Sequence, residues 1–140
     1  MKAVYRLTWI MAAVFIAGET SRRGLGYFAV NATTMIEDYL CGAMLLWSAW
    51  AWHRRQEISA RLMAAAWGFA TGGMLVPFAA HLEAWLRGAT FRPDHPHEDI
   101  GAVVMKGVIL AVCLACLTVA LRDRSAPMGP RSNSRARTPG

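Results

Sequence analysis

Charged residues are scarce in this sequence. Asp, Glu, Lys and Arg make up only 17% of its 140 residues, whereas hydrophobic residues make up 55%. Ordinary soluble domains carry more charge and less apolar material. The long apolar segments also lack the polar residue at every third or fourth position that amphipathic helices of a soluble bundle show. The composition therefore predicts a multi-pass membrane protein and excludes a soluble helical bundle.

Residue patterns typical of catalytic or redox sites are also few. There are three cysteines in the chain. Cys113 and Cys116 have the spacing of a redox pair, but they fall about 13 to 16 residues into the last apolar segment, roughly 20 Å from its start. We interpret them as small membrane-core residues. The sequence has no phosphate-cradling glycine loop and no nucleophile–base arrangement. An enzyme is not favoured, and no cofactor is predicted.

Four apolar segments are about as long as a membrane-crossing helix requires. The predicted spans cover residues 3–20, 35–52, 60–84 and 98–121, within one membrane domain over residues 1–121. Short loops between them predict an all-α fold, a four-helix transmembrane bundle with antiparallel up-down order. The first segment has an alternative interpretation as a cleaved signal peptide, because Lys2 and Arg6 precede its apolar stretch. Three spans would then remain.

Basic residues concentrate on one side of this predicted topology. With four spans, the two termini and the loop near residue 55 share a side that carries only two acids, Glu57 and Asp123. Its ten basic residues are Lys2, Arg6, Arg54, Arg55, Arg61, Arg122, Arg124, Arg131, Arg135 and Arg137. The positive-inside rule makes this side cytoplasmic. We therefore predict a bacterial inner-membrane protein with both termini inside.

The segment 122–140 is rich in Ser, Pro, Gly and Arg and has no apolar face. This composition predicts a disordered basic cytoplasmic tail. Because topology explains the basic excess, no nucleic-acid partner is expected. The expected partners are the lipid bilayer and either further copies of the chain or a larger membrane complex.

The third span contains a stripe of small residues, Ala64, Gly68 and Gly72, at four-residue spacing. Such stripes let another helix approach closely, within the protomer or between two protomers. Pro77 has no N–H for the carbonyl one turn back, near Gly73, so a kink is predicted there.

Lys106 lies about seven residues into the last span, roughly 10 Å along the helix axis. A lysine at this depth either extends its amine to the near interface or pairs inside the bundle. Candidate acids lie on the same side of the membrane. The pairing hypothesis predicts a periplasm-facing polar pocket formed by Lys106, Asp38, Glu37, Glu83 and His81.

The acidic pair has a structural alternative. Thr34 and Glu37 have the spacing of a capping box, in which each side chain binds a free N–H at the helix start. Asp38 would also suit the positive end of that helix dipole.

A second candidate site is a divalent-metal site on the loop before the last span, formed by His95, His97, Glu98 and Asp99. Imidazole and carboxylate ligands suit zinc or copper. The structural alternative is a helix start, because Pro96 fits the first helical position and acids favour the first turn.

Two functional classes follow. The favoured one is a non-catalytic accessory or interaction subunit that carries the polar pocket. The alternative is an oligomeric transporter or channel subunit for a proton, cation or small solute, in which Lys106 and its acids form the relay.

Overall fold

The structure, a computed structural model, describes residues 2–88 and 100–122, and within these ranges it contains helices and no strands. The elements are α1 (Lys2–Ala13), a π-helical segment (Val14–Gly18), α2 (Glu19–Arg23), a 3-10 turn (Leu25–Tyr27), α3 (Phe28–His53), α4 (Ser59–Arg87) and α5 (Ile100–Arg122). The predicted all-α fold is confirmed, with four helices when α1, the π-helical segment and α2 are counted as one. The tail beyond Arg122 lies outside the described residues.

The first helix is continuous from α1 to α2. The backbone at the two junctions, Ala13 and Gly18, is right-handed helical, so the π-helical segment is a local widening rather than a break. The helix ends at Gly24, whose φ of 72° is readily adopted only by glycine. This helix extends three residues beyond the predicted span.

Helix α3 begins seven residues before the predicted span. Its backbone is interrupted at Asn31 (φ −150°, ψ 84°), and the Asn31 side-chain oxygen accepts a hydrogen bond from the Thr34 N–H at 3.2 Å. Asn31 is thus the N-cap of the main part of the helix, and Thr34 stands at the third position. The predicted capping box of Thr34 and Glu37 is wrong, because the helix already has a cap one turn earlier.

Helix α4 packs against both α3 and α5, and α1 packs mainly against α3. At its end, Gly88 adopts the left-handed conformation (φ 60°), and its N–H binds the Trp85 carbonyl at 3.2 Å. A chain reversal over residues 54–58 joins α3 to α4, so these two helices run antiparallel.

Two contacts define how α4 and α5 align. A β-carbon at Gly107 would lie 3.2 Å from the Phe78 ring, and one at Gly68 would lie 3.9 Å from Leu117. The residue numbers rise on one helix as they fall on the other, so the two helices are antiparallel. In this alignment Lys106 lies beside Ala79.

Only part of the predicted small-residue stripe packs against other helices of the described chain. Ala64 packs against the core and Gly68 contacts α5, but a β-carbon at Gly72 would meet nothing within 4 Å. The close helix approaches occur elsewhere, at Gly42 and Gly107, which the sequence analysis did not single out. Small residues permit a close approach, but the packing of all four helices decides where one occurs.

Gly42→Ala should weaken the packing of α1 against α3. The added methyl would collide with Cγ1 of Ile16, and it would lie 2.8 Å from Cδ1 of Ile16 and 3.2 Å from the Ala12 carbonyl oxygen. Overpacking of this kind costs about 1–3 kcal/mol. The loss of stability is measured by recording circular dichroism while the protein unfolds in detergent. The matched control is Gly72→Ala, which should be neutral or slightly stabilising, since that position is open and alanine favours helix. Equal stability of the two variants would contradict the prediction.

Two of the described helices, α4 and α5, are long and apolar enough to cross a membrane. The first helix, although continuous, consists of three short elements: α1, the π-helical segment and α2. In α3, an acidic pair and three tryptophans interrupt the aliphatic residues.

Candidate functional site: a polar cluster at one end of the helices

Lys106 is buried inside the protein. Only 8% of the residue is exposed, and it shares a face of α5 with Val103, Leu110 and Cys113, all buried. The 3–4-residue spacing of these positions places them on one side of the helix. Lys106 also takes part in at least one polar or electrostatic interaction. The amine therefore does not lie along the exposed surface of α5.

His81 lies on the buried face of α4, with 8% of the residue exposed. It is two residues from Ala79, the neighbour of Lys106, which corresponds to about 3 Å along the helix axis. Like Lys106, His81 makes an interaction with another group. These two predicted pocket residues are therefore on facing helices at nearly the same level.

Glu37 and Asp38 occupy different environments. Asp38 is half-buried and makes a polar or electrostatic interaction. Glu37 is exposed, and its carboxylate rests on α4, with Oε1 3.1 Å from the point that a β-carbon at Gly73 would occupy. Gly73 is eight residues from His81, about 12 Å along the axis. The Glu37 carboxylate thus lies deeper between the helices than His81 and Lys106.

A partly buried ion pair in the first helix belongs to the same end of the protein, and it was not predicted from the sequence. Arg23 Nε lies 2.8 Å from the Glu19 carboxylate, and the two side chains are 8% and 20% exposed. The Arg23 guanidinium also stacks over the Tyr27 ring at 4.9 Å. Within the described residues, Arg23 Nη1 is buried and has no hydrogen-bond partner. The four-residue spacing of Glu19 and Arg23 is the sequence pattern that could have predicted this ion pair.

A pair of hydroxyl groups links this ion pair to α3. The Thr20 and Tyr39 hydroxyl oxygens are 2.6 Å apart, and Thr20 Oγ1 is also 2.6 Å from the Ile16 carbonyl. Because the carbonyl is only an acceptor, Thr20 donates to it and Tyr39 donates to Thr20. This contact sets α2 beside the segment of α3 that contains Asp38. The polar cluster, defined as Glu19, Arg23, Glu37, Asp38, His81 and Lys106, therefore draws on all four helices.

Glu83 lies apart from the cluster. Its carboxylate forms an ion pair with Arg87 at 2.7 Å, and the two side chains are 58% and 73% exposed. They are one turn apart on α4, on its surface. An exposed pair of this kind contributes little to stability. Glu83 therefore does not face the buried side of α4, on which His81 lies.

The opposite half of the helices has an apolar core. Leu45, Met63 and Trp67 are fully buried there. The polar groups among them are internally satisfied: Trp67 Nε1 donates to Thr8 Oγ1 at 3.1 Å, and Ser48 Oγ donates to the Leu45 carbonyl at 2.8 Å. No charged side chain of the described residues is buried in this half.

The predicted metal ligands His95, His97, Glu98 and Asp99 lie outside the described residues. Among the residues that the structure describes, no group of three or more His, Cys, Asp or Glu side chains is arranged to hold a metal ion. Cys41, Cys113 and Cys116 are buried free thiols.

Comparison of the chain with known protein families, with curated proteins and with solved structures finds no match. The function is therefore argued from the arrangement of the helices and the polar cluster.

Proposed function

We propose that this chain is a small integral protein of the bacterial inner membrane, with four spans and both termini in the cytoplasm. In this proposal it serves as a non-catalytic accessory or interaction subunit. Its polar cluster forms a pocket that opens to the periplasm.

The exposed apolar surface supports the membrane placement. Only 22% and 28% of the most apolar stretches of α4 and α5 are buried within the protein. A core helix of a soluble protein would be mostly buried, and large exposed apolar patches mark contact with lipid or with other proteins. Val76, at 71% exposed, and Val108, at 58%, are examples on the two helices. A bilayer would cover this surface.

The charge distribution supports the orientation. Apart from Glu37, whose carboxylate contacts the middle of α4, the polar cluster lies in the half of the protein near Gly24 and Gly88, and the basic reversal at Arg54 and Arg55 lies at the other end. By the positive-inside rule the basic end faces the cytoplasm. The cluster then faces the periplasm.

The observation that carries the functional proposal is the one-sided placement of the charges. A transport path through a protomer needs polar or hydrated groups along its whole length. Here the charges occupy one half, and the other half is filled by Leu45, Met63 and Trp67 without exposed surface. This arrangement favours binding at the periplasmic side over conduction through the protomer.

A proton-flux assay in proteoliposomes tests this proposal. We expect wild-type protein to conduct protons no faster than protein-free vesicles, and a protonophore added afterwards shows that the vesicles were tight. The same measurement on Lys106→Met should give the same result. Flux in wild type that Lys106→Met abolishes would contradict the accessory role.

Proton flux that depends on Lys106 would favour the second candidate, an oligomeric transporter or channel subunit for a proton, cation or small solute. The specific observation in its favour is that Lys106 and His81 are both buried, at nearly the same level of two facing helices. A buried ionisable side chain in a membrane helix marks ion and proton pathways in other proteins. In this case the path would have to run between protomers.

A further inference from the structure

One exposed face of α3 is apolar and ends at a pair of arginines. Leu40, Trp47 and Trp50 are 47%, 54% and 44% exposed, and Arg54 continues the same side of the helix one turn later. We propose that this face, defined as Leu40, Trp47, Trp50, Arg54 and Arg55 and called the lipid face, binds one anionic phospholipid from the leaflet on the basic side of the membrane. The inference rests on the membrane placement proposed above and names a partner for the basic end of the protein.

The Arg54 guanidinium stacks on the apolar part of this face. Its carbon lies 5.7 Å from the centre of the Trp50 ring, a distance at which an indole attracts a cation. Arg54 and Arg55 are exposed, and neither forms an ion pair with another described residue. This includes Glu57, the one acid among residues 54–58. Because a planar guanidinium offers paired N–H donors that match phosphate oxygens, the arginines can bind a phosphate beside the indole.

Arg55 has a backbone conformation that glycine usually adopts. Its φ is 53°, and among the described residues other than glycine it is the one with positive φ. The Gln56 N–H binds the Ala51 carbonyl at 3.0 Å, which closes the end of α3 around a left-handed residue. Glycine would close this turn with less strain, so the helix end itself does not require an arginine. A strained residue at a basic, exposed position points to a binding role for its side chain.

The start of α1 borders the arginine end of the lipid face. The Tyr5 hydroxyl lies 3.4 Å from Nδ1 of His53, the residue before Arg54. Trp9, one turn along α1, is 40% exposed and packs edge-on against Tyr5, with ring centres 6.4 Å apart. Tyrosine and tryptophan are enriched at the level of lipid headgroups. Aromatic residues of two helices therefore lie next to the arginines, as expected for a site at the membrane interface.

The length of the lipid face fits one leaflet of a bilayer. Leu40 and Trp50 are ten residues apart, about 15 Å along the helix axis, which is half of the roughly 30 Å hydrocarbon thickness. The exposed side chains over this distance offer contact to an acyl chain, whereas a soluble phosphate would contact only the arginines. The cationic end complements an anionic headgroup. An anionic phospholipid therefore fits the whole face, and a soluble anion fits only its end.

Native mass spectrometry of the full chain in a neutral detergent tests the proposal. Membranes that contain the protein are first extracted at alkaline pH, which tests the membrane placement separately. Dioleoyl phosphatidylglycerol is then titrated into the purified protein, and phosphatidylcholine with the same acyl chains is the neutral comparison. We expect one phosphatidylglycerol to bind at least about tenfold more tightly than phosphatidylcholine, the equivalent of one hydrogen bond to a charged group. Inorganic phosphate in large excess should not displace it.

Arg54→Gln and Arg55→Gly should each weaken the binding of phosphatidylglycerol roughly tenfold. Arg55→Gly should also raise the unfolding midpoint in neutral detergent, because glycine adopts the left-handed conformation without strain. A damaged helix end then cannot explain its loss of lipid. Trp50→Leu keeps the face apolar and removes the ring beneath Arg54, so a smaller loss of roughly two- to fivefold is expected. The matched control is Arg61→Gln, which removes an exposed charge on α4 at the same end and should retain the wild-type affinity.

Equal losses of affinity in Arg54→Gln and Arg61→Gln would overturn the site, because diffuse attraction to the basic end would then explain the binding. Equal binding of phosphatidylcholine, or displacement by inorganic phosphate, would overturn the choice of an anionic lipid. Each of these results, in protein that resists alkaline extraction, leaves the membrane placement standing. Extraction of the protein at alkaline pH would overturn both. A lower unfolding midpoint in Arg55→Gly would overturn the role assigned to Arg55.

Discussion

Lys106→Met should lower the free energy of unfolding by about 3–5 kcal/mol, the loss typical of removing one partner from a buried charged interaction. Lys106 is 8% exposed and interacts with another group on the buried side of α5. Methionine has a similar length and is apolar, so it fills much of the same space without the charge. The destabilisation then comes from the polar group that loses its partner at the end where His81 and Asp38 lie.

The destabilisation by Lys106→Met is measured by recording circular dichroism during reversible unfolding in SDS. Val108→Met on the same helix is the matched control, since Val108 is 58% exposed and its side chain faces away from the protein core. That control should change stability by less than about 0.5 kcal/mol. If Lys106→Met behaved like the control, the amine would have to be solvated in the native state, and the pocket hypothesis would fail.

The depth of Lys106 could be predicted from the sequence, but its burial could not. Apolar residues surround it on every side of α5, so periodicity gives no preferred face for this helix. The burial of Lys106 results from the alignment of α5 against α4, in which Gly107 packs against the Phe78 ring. That contact joins distant parts of the chain and leaves no local sequence signal.

The helices themselves were predictable because long apolar runs leave few other options for the backbone. Their ends were less so. Helix α3 begins at Phe28 with a short turn that follows Gly24, and the cap at Asn31 starts its main part. This earlier start changes the site, since Glu37 then lies in the second turn after the Asn31 cap instead of in the first turn.

The Glu37 contact with α4 was missed for a related reason. The stripe of Ala64, Gly68 and Gly72 was the visible small-residue pattern, and Gly73 next to it lies about 100° around the helix. The ion pair of Glu19 and Arg23 lies on the first helix, and no residue pattern in the sequence indicates that this end of the helix packs beside α3. Predicting which helix faces meet requires the packing of all four.

Trp67→Ala should be the most destabilising change in the apolar half of the protein, by about 3–5 kcal/mol, which is the range for deleting a buried large aromatic side chain. Trp67 is fully buried, and its indole N–H donates to Thr8 Oγ1 at 3.1 Å. Thr8 in turn lies 2.8 Å from the Val4 carbonyl and 3.2 Å from the Met63 sulfur. Removing the ring leaves a cavity between α1 and α4 and takes away the donor to Thr8.

Trp67→Phe separates these two contributions. The phenyl ring keeps most of the apolar volume and loses the N–H, so a smaller loss of about 1–3 kcal/mol is expected. Trp47→Ala is the control for aromatic removal at a surface, because that residue is 54% exposed, and its effect should stay below about 1 kcal/mol. Circular dichroism is the suitable readout, since removing a tryptophan alters fluorescence directly. If Trp47→Ala and Trp67→Ala destabilised the protein equally, Trp67 would not close the apolar half, and the argument against conduction through the protomer would lose its main support.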